Sequence, residues 1–344
     1  MSSERPITNQ ANLGLTMSMW LAHDTYDHTP ANAPQDDLPM ISATELLKPT
    51  KSLVLSNRMP KEELPVDLQD LVAARMGQSI HSGIEDAITS EKRNQLLEKI
   101  GAAKHIIDNL MVNPTPEELK ANPSAIPLYL EQRGYRLIET SNGTKIWISG
   151  QFDQVFAGRA EDNKTTQVYK WMKMDQSEKT DFARQLSIYR WINPEIITSE
   201  VGIINFIFKD WKRSEAGRIE NYPPFPVSEL PVQLMGLQET ETFVRQKLDE
   251  LLAAIPQKDE AQMPRCKDEE LWKSPDVHKY YKNPETLKKG GRATKNFDSY
   301  PAAMAHKAKQ NGIGVIKTIP GEVRRCSYCD GAPLCTQRLE YKTD

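Results

Sequence analysis

The spacing of apolar residues changes partway along this chain, and that change limits what it can fold into. From about Leu64 to Leu110 they recur every three or four positions, as in "DLQDLVAARMGQSIHSGIEDAI", which is helical spacing. After residue 134 the period becomes two. "GYRLIET", the turn "SNGT" and "KIWISGQFDQVFA" read as a hairpin, with Asn142-Gly143 as its turn signal. "DNKTTQVYKW" reads as a third strand, "KTDFARQLSIYRWI" as an amphipathic helix and "EVGIINFIFKDW" as a buried strand. After a "YPPFP" loop come a short strand, "PVQLMGL", and a helix, "TETFVRQKLDELLAAI", that closes near Ile255.

Three segments follow. Residues 1–39, polar and carrying "DHTPANAPQDD", read as an irregular arm. Order begins at "PMISATELLKP", where Ser42 or Thr44 can cap a helix, and runs through 40–255. Within it, the proline-bearing stretch 111–134 reads as a connector with one short helix. Residues 256–344 are lysine-rich and apolar-poor, and hold all four cysteines. A segment with so little to bury points to a metal staple.

The formal net charge is -3, so nucleic-acid binding has to rest on local patches. No apolar run approaches the ~20 residues of a membrane helix, and "MSSERPITNQ" lacks the order of a secretory signal. The expected place is the cytoplasm, away from membranes, where cysteines serve as metal ligands more readily than as disulfides.

"GQFDQVFAGRAEDNKTTQVYKW" sets Asp153 and Asp162 a short hairpin apart, with Lys164 two residues further on. An antiparallel return makes the two carboxylates neighbours, and alternation puts Lys164 on the face of Asp162. Bare carboxylates there repel, and a divalent cation removes the conflict. Upstream, "GQSIHSGIEDAI" sets His81 and Glu85 four apart on one helix face, with Gly77 a turn earlier. Downstream, Gln185 and Tyr189 stand four apart in "RQLSIYRW". An alternative register takes "VYKWMKM" as the strand and Lys170 as a decayed acidic position. Asp162-Lys164 is preferred because it supplies both charges, which leaves Lys170 and Lys173 as phosphate contacts.

The order Gly-x-x-x-His-x-x-x-Glu, Gly-x-x-Asp, Asp-x-Lys and Gln-x-x-x-Tyr resembles the RecB-like branch of the PD-(D/E)XK nucleases over roughly residues 40–255. That branch includes phage exonucleases and the AddB and CRISPR-adaptation nucleases. The resemblance implies an α/β fold with a mixed central sheet flanked by helices, the restriction-endonuclease-like core. It implies Mg2+ or Mn2+ on His81, Asp153, Asp162 and the carbonyl of Asn163. Lys164 would orient water or stabilise charge, and Glu85, Gln185 and Tyr189 would be accessory.

"RRCSYCDGAPLCTQ" gives Cys326, Cys329 and Cys335; Cys266 completes the set. Four thiolates suit either a zinc ion or a [4Fe-4S] cluster. The C-x2-C-x5-C tail is similar to the iron–sulfur staple of AddB and the CRISPR-adaptation nucleases, which favours the cluster. In those, however, the first cysteine usually precedes the nuclease core. The intervening loop interleaves Lys and Arg with Trp272, Tyr280, Tyr281 and Phe297, a pattern for stacking bases and tracking phosphates. His278 and His306 read as surface residues.

The expected function is metal-dependent DNA hydrolysis, as an exonuclease on single strands or ends, in recombination, repair or replication of a bacterium or phage. A phage protein would act in the host cytoplasm, and a helicase, recombinase or single-strand-binding protein is a candidate partner. The alternatives are a catalytically silent DNA-binding or assembly protein on the same fold and a structure-specific endonuclease.

Overall fold

A computed structural model of the chain describes residues 5–24 and 30–341. The chain divides into two compact units, Met1–Leu47 with Pro60–Leu252 and Lys48–Met59 with Ala253–Asp344. Among the described residues, no helix is long and apolar enough to cross a membrane.

The first unit opens with β1 (Ile7–Thr8) and α1 (Leu15–Ala22). This corrects the irregular arm over its described part; residues 1–4 and 25–29 lie outside the described residues. The cause is tertiary: Leu21 is buried, and Arg75 Nε donates to its carbonyl at 2.8 Å. Next come β2 (Met40–Ser42) and α2 (Ala43–Leu46). Ser42 caps α2, and the Glu45 side chain bonds back to the Ser42 N–H, a reciprocal capping box. The following helix, α3 (Thr50–Arg58), belongs to the second unit.

Past β3 (Val66–Asp67), the helical spacing resolves into α4 (Val72–Thr89), α5 (Arg93–Lys99) and α6 (Lys104–Asn109). The connector is more ordered than its prolines suggest. It carries β4 (Leu110–Val112), α7 (Pro116–Ala121) and β5 (Ile126–Leu130). Strands this short hold too few residues to declare a period.

The expected hairpin forms from β6 (Arg133–Glu139) and β7 (Lys145–Gln151), joined through Gly143 at φ 83°. The long second strand does not continue. It breaks at Phe152–Asp153 and resumes as β8 (Gln154–Phe156) in another sheet. β7 stays in a three-stranded sheet ordered β2-β7-β6, so one central sheet is corrected to several. β9 (Arg159–Thr166) follows, and then "VYKW" turns helical as α8 (Val168–Lys173) instead of extending the strand. Asp210 accepts the Val168 N–H at 2.7 Å, and Trp171 packs edge-on against Phe206 and Phe208. Lys170 therefore stands on a helix, which removes the alternative register.

α9 (Gln176–Ile192), β10 (Val201–Phe208), β11 (Val227–Gln233) and α10 (Leu237–Ala254) complete the unit. The main sheet has six strands, ordered β11-β10-β9-β8-β5-β4. It is mixed: β9–β10 and β4–β5 run parallel, and the other pairs antiparallel. The architecture is thus mixed α/β with several sheets flanked by helices.

The second unit folds β12 (Val277–Tyr281), β13 (Lys295–Phe297) and β14 (Val315–Ile319) into an antiparallel sheet ordered β13-β12-β14. α11 (Pro284–Lys288) and α12 (Tyr300–Lys309) lie between its strands in sequence. Tyr280, Tyr281 and Ala303 are buried, so two of the four aromatics read as base-stackers are core residues and only Trp272 is well exposed. Here α3 is tied in by Lys51 Nζ, 2.6 Å from Glu260 Oε2, and by Ser52 Oγ, 3.1 Å from Cys329 Sγ.

Candidate active site

The turn between β8 and β9 positions the acidic cluster. Phe156 pairs with Arg159, leaving a two-residue loop, Ala157 at φ 47° and Gly158 at φ 83°. Positive φ at both positions gives the tight turn whose twist suits a hairpin. Pairing runs out at Gln154 with Glu161, so Asp153 and Asp162 are the next residues along each strand. There the Asn163 N–H donates to Asp153 Oδ2 at 2.7 Å, extending the ladder through a side chain.

Asp162 is 1% exposed, and burying a carboxylate is costly unless its charge is met. Lys164, two residues on and on the same face, brings Nζ to 2.9 Å from Oδ1 and 2.7 Å from Oδ2. Gln185 Nε2 also donates to Oδ1 at 3.3 Å, and to Tyr189 Oη at 2.9 Å. Among the described residues no well-aligned hydrogen bond reaches Oδ2. The charge that meets this buried oxygen is the Lys164 ammonium at 2.7 Å.

The approach of α9 depends on two glycines that face each other across β6–β7, Gly134 and Gly150. A Cβ on Gly150 would lie 2.8 Å from the Tyr189 ring, and one on Gly134 2.3 Å from Asn193 Oδ1. Side chains there would push away the helix turn that carries Gln185 and Tyr189.

His81 reaches this group from α4. Its Nε2 stands 3.2 Å from the Asn163 carbonyl oxygen and 3.6 Å from Asp153 Oδ2. Its Nδ1 is 3.3 Å from Glu131 Oε1. The donor atoms of His81, Glu131 and Asp153 all lie within 4.8 Å of one another. These three line a cleft of about 1020 Å³, together with Gly77, Glu85 and Tyr189. Glu85 is exposed on the cleft wall, one turn from His81. Lys170 pairs with Glu178, so its charge is already engaged, and Lys173 is exposed.

The electrostatics express crowding. Burial, and then the charge of Asp162, push the Asp153 carboxyl up to about 7, against the pull of His81. The hydrogen bond to Glu131, aided by Asp153, raises His81 to about 9 despite burial. For Lys164, burial alone favours the neutral amine, but the charge and hydrogen bond of Asp162 outweigh it and the pKa rises. Asp153 thus resists ionising unless a further cation joins His81 and Lys164. The donors that lie within 4.8 Å of one another, the His81 imidazole and the Glu131 and Asp153 carboxylates, form a set that suits a divalent one.

Glu131 is a site residue that the sequence reading missed. It follows β5 at φ 47°, in a proline-bearing stretch with no periodicity to mark it.

In the second unit, Cys266, Cys326, Cys329 and Cys335 are free thiols lining one cavity of about 30 Å³. Burial, then Glu270 and the other three thiols, push Cys266 up to about 11. Cys326 is raised too, by burial and then by Cys329 and Cys335. Among the described residues no three of the sulfurs lie within 4.8 Å of one another.

No protein-family model and no curated protein matches the chain. Similar solved structures include SSO0001, at 16% identity and TM-score 0.37, covering 69% of this chain and 81% of that one. A phage-related exonuclease from Haemophilus somnus 129PT gives 11% and 0.20, covering 61% and 96%. Rai1 of Scheffersomyces stipitis, in complex with (3'-NADP)+ and calcium ion, gives 12% and 0.20, covering 66% and 64%. At such TM-scores these likenesses carry no argument about this chain's activity.

Proposed function

We propose that the protein is a metal-dependent DNA nuclease of the RecB-like PD-(D/E)XK type, an exonuclease acting on single strands or DNA ends. The observation that carries this reading is the buried Asp162–Lys164 pair standing beside Asp153, with His81 Nε2 turned to the Asn163 carbonyl. His81, Asp153, Asp162 and the carbonyl of Asn163 would hold Mg2+ or Mn2+. When bound, the ion neutralises phosphate charge and acidifies a water. Hydrolysis makes one P–O bond to water and breaks another to the leaving oxygen.

Lys164 is held as an ammonium, so it serves as a charge stabiliser and hydrogen-bond donor to the phosphoryl oxygens and not as a base. Asp162 aims that ammonium, and Gln185 aims Asp162, with Tyr189 behind it. Glu85 lines the cleft wall along which a strand would pass. A helicase, recombinase or single-strand-binding protein would deliver the strand.

The test is cleavage of labelled single- and double-stranded DNA with Mn2+, by wild type and Asp162→Ala. Cutting by wild type alone supports the reading. Metal-independent binding without cutting by either protein overturns it in favour of a silent DNA-binding protein. Nicking of a closed circle replaces the exonuclease with an endonuclease.

For the second unit the proposal is a [4Fe-4S] cluster on the four cysteines. Four thiolates would serve either a zinc ion or a cluster, and the C-x2-C-x5-C spacing of Cys326, Cys329 and Cys335 is what favours the cluster. Broad visible absorbance after anaerobic preparation supports the cluster; a colourless protein releasing zinc rejects it.

A further inference from the structure

We propose that the second unit carries its own site for single-stranded DNA, with Trp272 and Tyr328 stacking bases and Lys279 and Lys317 holding phosphates. DNA is also the substrate of the nuclease reading, but this site uses none of the first unit's residues and no divalent ion. Two sequence neighbours point opposite ways. Leu271 is 3% exposed and lines the cysteine cavity, while Trp272 is 49% exposed. Trp272 takes φ 50°, a left-handed conformation that is an outlier for so bulky a residue. Such strain persists where the surroundings enforce it, and it clusters at ligand sites. Here the Leu271 carbonyl accepts the N–H groups of Arg324 and Arg325, at 3.3 and 3.1 Å, and so anchors the turn that directs the indole outward.

The exposed indole stands beside a second exposed ring. Tyr328, 78% exposed, has its ring centroid 6.1 Å away, tilted by 54°. The Arg325 guanidinium lies 5.0 Å over the Trp272 ring, and its Nη1 donates to the Glu270 carbonyl at 3.3 Å. Open aromatic faces beside a fixed cation match a nucleobase and its phosphate. Two nearby carboxylates, Asp268 and Glu322, are already paired with Lys273 and Arg324, at 2.9 and 3.0 Å.

The charge of the adjoining sheet selects the partner. From Trp272 the chain runs into β12, and β14 returns to Arg325. Between them the Ser274 N–H donates to the Glu322 carbonyl and the Glu322 N–H to Ser274 Oγ, both at 2.9 Å. Residues 277–319 hold nine Lys or Arg against two Asp or Glu, in a chain of net charge -3. Lys279 and Lys317 are direct partners across β12–β14, and Asn296 of β13 pairs with Lys279 on its other side. They lie on the face away from α12, because the alternate residues His278 and Tyr280 meet Tyr300 and His306 of that helix. Like charges directly opposed repel, and among the described residues neither lysine forms an ion pair. A phosphate between them turns that repulsion into binding. Bases free to stack on the rings belong to a single strand.

The test is anisotropy of a labelled dT strand of about 12 nucleotides, of an abasic strand and of a duplex of equal length. The protein is full-length, prepared anaerobically and given no Mg2+ or Mn2+. Wild type is expected to bind the dT strand most tightly. Trp272→Ala and Tyr328→Ala should each weaken dT binding by about 5–100-fold and leave the abasic strand unchanged, and Trp272→Phe should recover most of the loss. Lys279→Ala and Lys317→Ala should weaken both strands alike, each lowering the slope of log affinity against log salt by about 0.7. Unchanged dT affinity in Trp272→Ala overturns the proposal, and so does an equal loss on both strands, which marks a structural role. Unchanged salt slopes in both lysine variants remove the phosphate contacts and overturn it too. Preference for the duplex reassigns the surface to double-stranded DNA. A wild type that binds no strand leaves the rings to a protein partner and sinks the proposal, while cleavage with Mn2+ still decides the nuclease reading at Asp162.

Discussion

Asp162, Asn163 and Lys164 occupy consecutive positions of β9, paired in register with Ile204, Asn205 and Phe206 of β10. The thiols of the second unit have no such ladder: Cys326, Cys329 and Cys335 lie in or at the ends of two 3₁₀ turns, Arg325–Tyr328 and Ala332–Leu334. Cys266 is far away in sequence and is joined to that loop by Gln337, which accepts from its N–H and donates to its carbonyl. The difference is one of what holds the donors. A strand keeps its side chains at set spacings whether or not an ion is bound, while turns closed over a long loop depend on what they grip. Metal should therefore be functional in the first unit and structural in the second.

The largest effect that could break this contrast is loss of the cysteine-bound group. Cys266→Ser, or removal of the metal, should abolish the calorimetric transition of the second unit and leave that of the first. The energy at stake is on the order of 10 kcal/mol. Two unchanged transitions would contradict the contrast. Next is Glu260→Ala, which leaves Lys51, only 3% exposed, without its carboxylate and should cost the second unit roughly 3–5 kcal/mol in denaturant melts. Burial alone would raise the Glu260 carboxyl, but the hydrogen bonds from Lys51 and Thr336 hold it at about 2. Its stabilisation is thus full above the ordinary range near 4.5 and is lost as pH falls towards 2. Glu260→Gln should flatten that acid limb.

In the first unit, Lys164→Ala should lower cleavage by about 10²–10³-fold with little change in KM for DNA, measured by single-turnover kinetics. A change confined to KM would make Lys164 a binding residue. Gly150→Ala drives a methyl against Tyr189 and should cost roughly 1–3 kcal/mol in the first unit's transition alone. The smallest effect is stabilising. Ala157, exposed and left-handed beside Gly158, should gain about 0.5 kcal/mol on replacement by Asn, read as a small rise in the same transition.

Regular periodicity made part of this molecule legible from its residues. His81 and Glu85 at i,i+4, and Asp162 and Lys164 at i,i+2, could be placed on shared faces because helices and strands project side chains at known intervals. What stayed hidden lies where the chain leaves those intervals. The alternation through "KIWISGQFDQVFA" has no mark at Phe152–Asp153, where the chain moves from one sheet to another. Glu131 sits at a left-handed residue between β5 and β6. The placement of α3 with the second unit brings Lys51 to Glu260, a pairing over 209 residues that no local pattern announces.

The central claim is that His81, Asp153, Asp162 and the Asn163 carbonyl serve one divalent ion. A crystal soaked in Mn2+ and measured at the manganese edge tests it most directly. The expected result is an anomalous peak bounded by His81 Nε2, Asp153 Oδ2, the Asn163 carbonyl oxygen and the Asp162 carboxylate. A fully occupied Mn2+ elsewhere, with no density among those four groups, would contradict it.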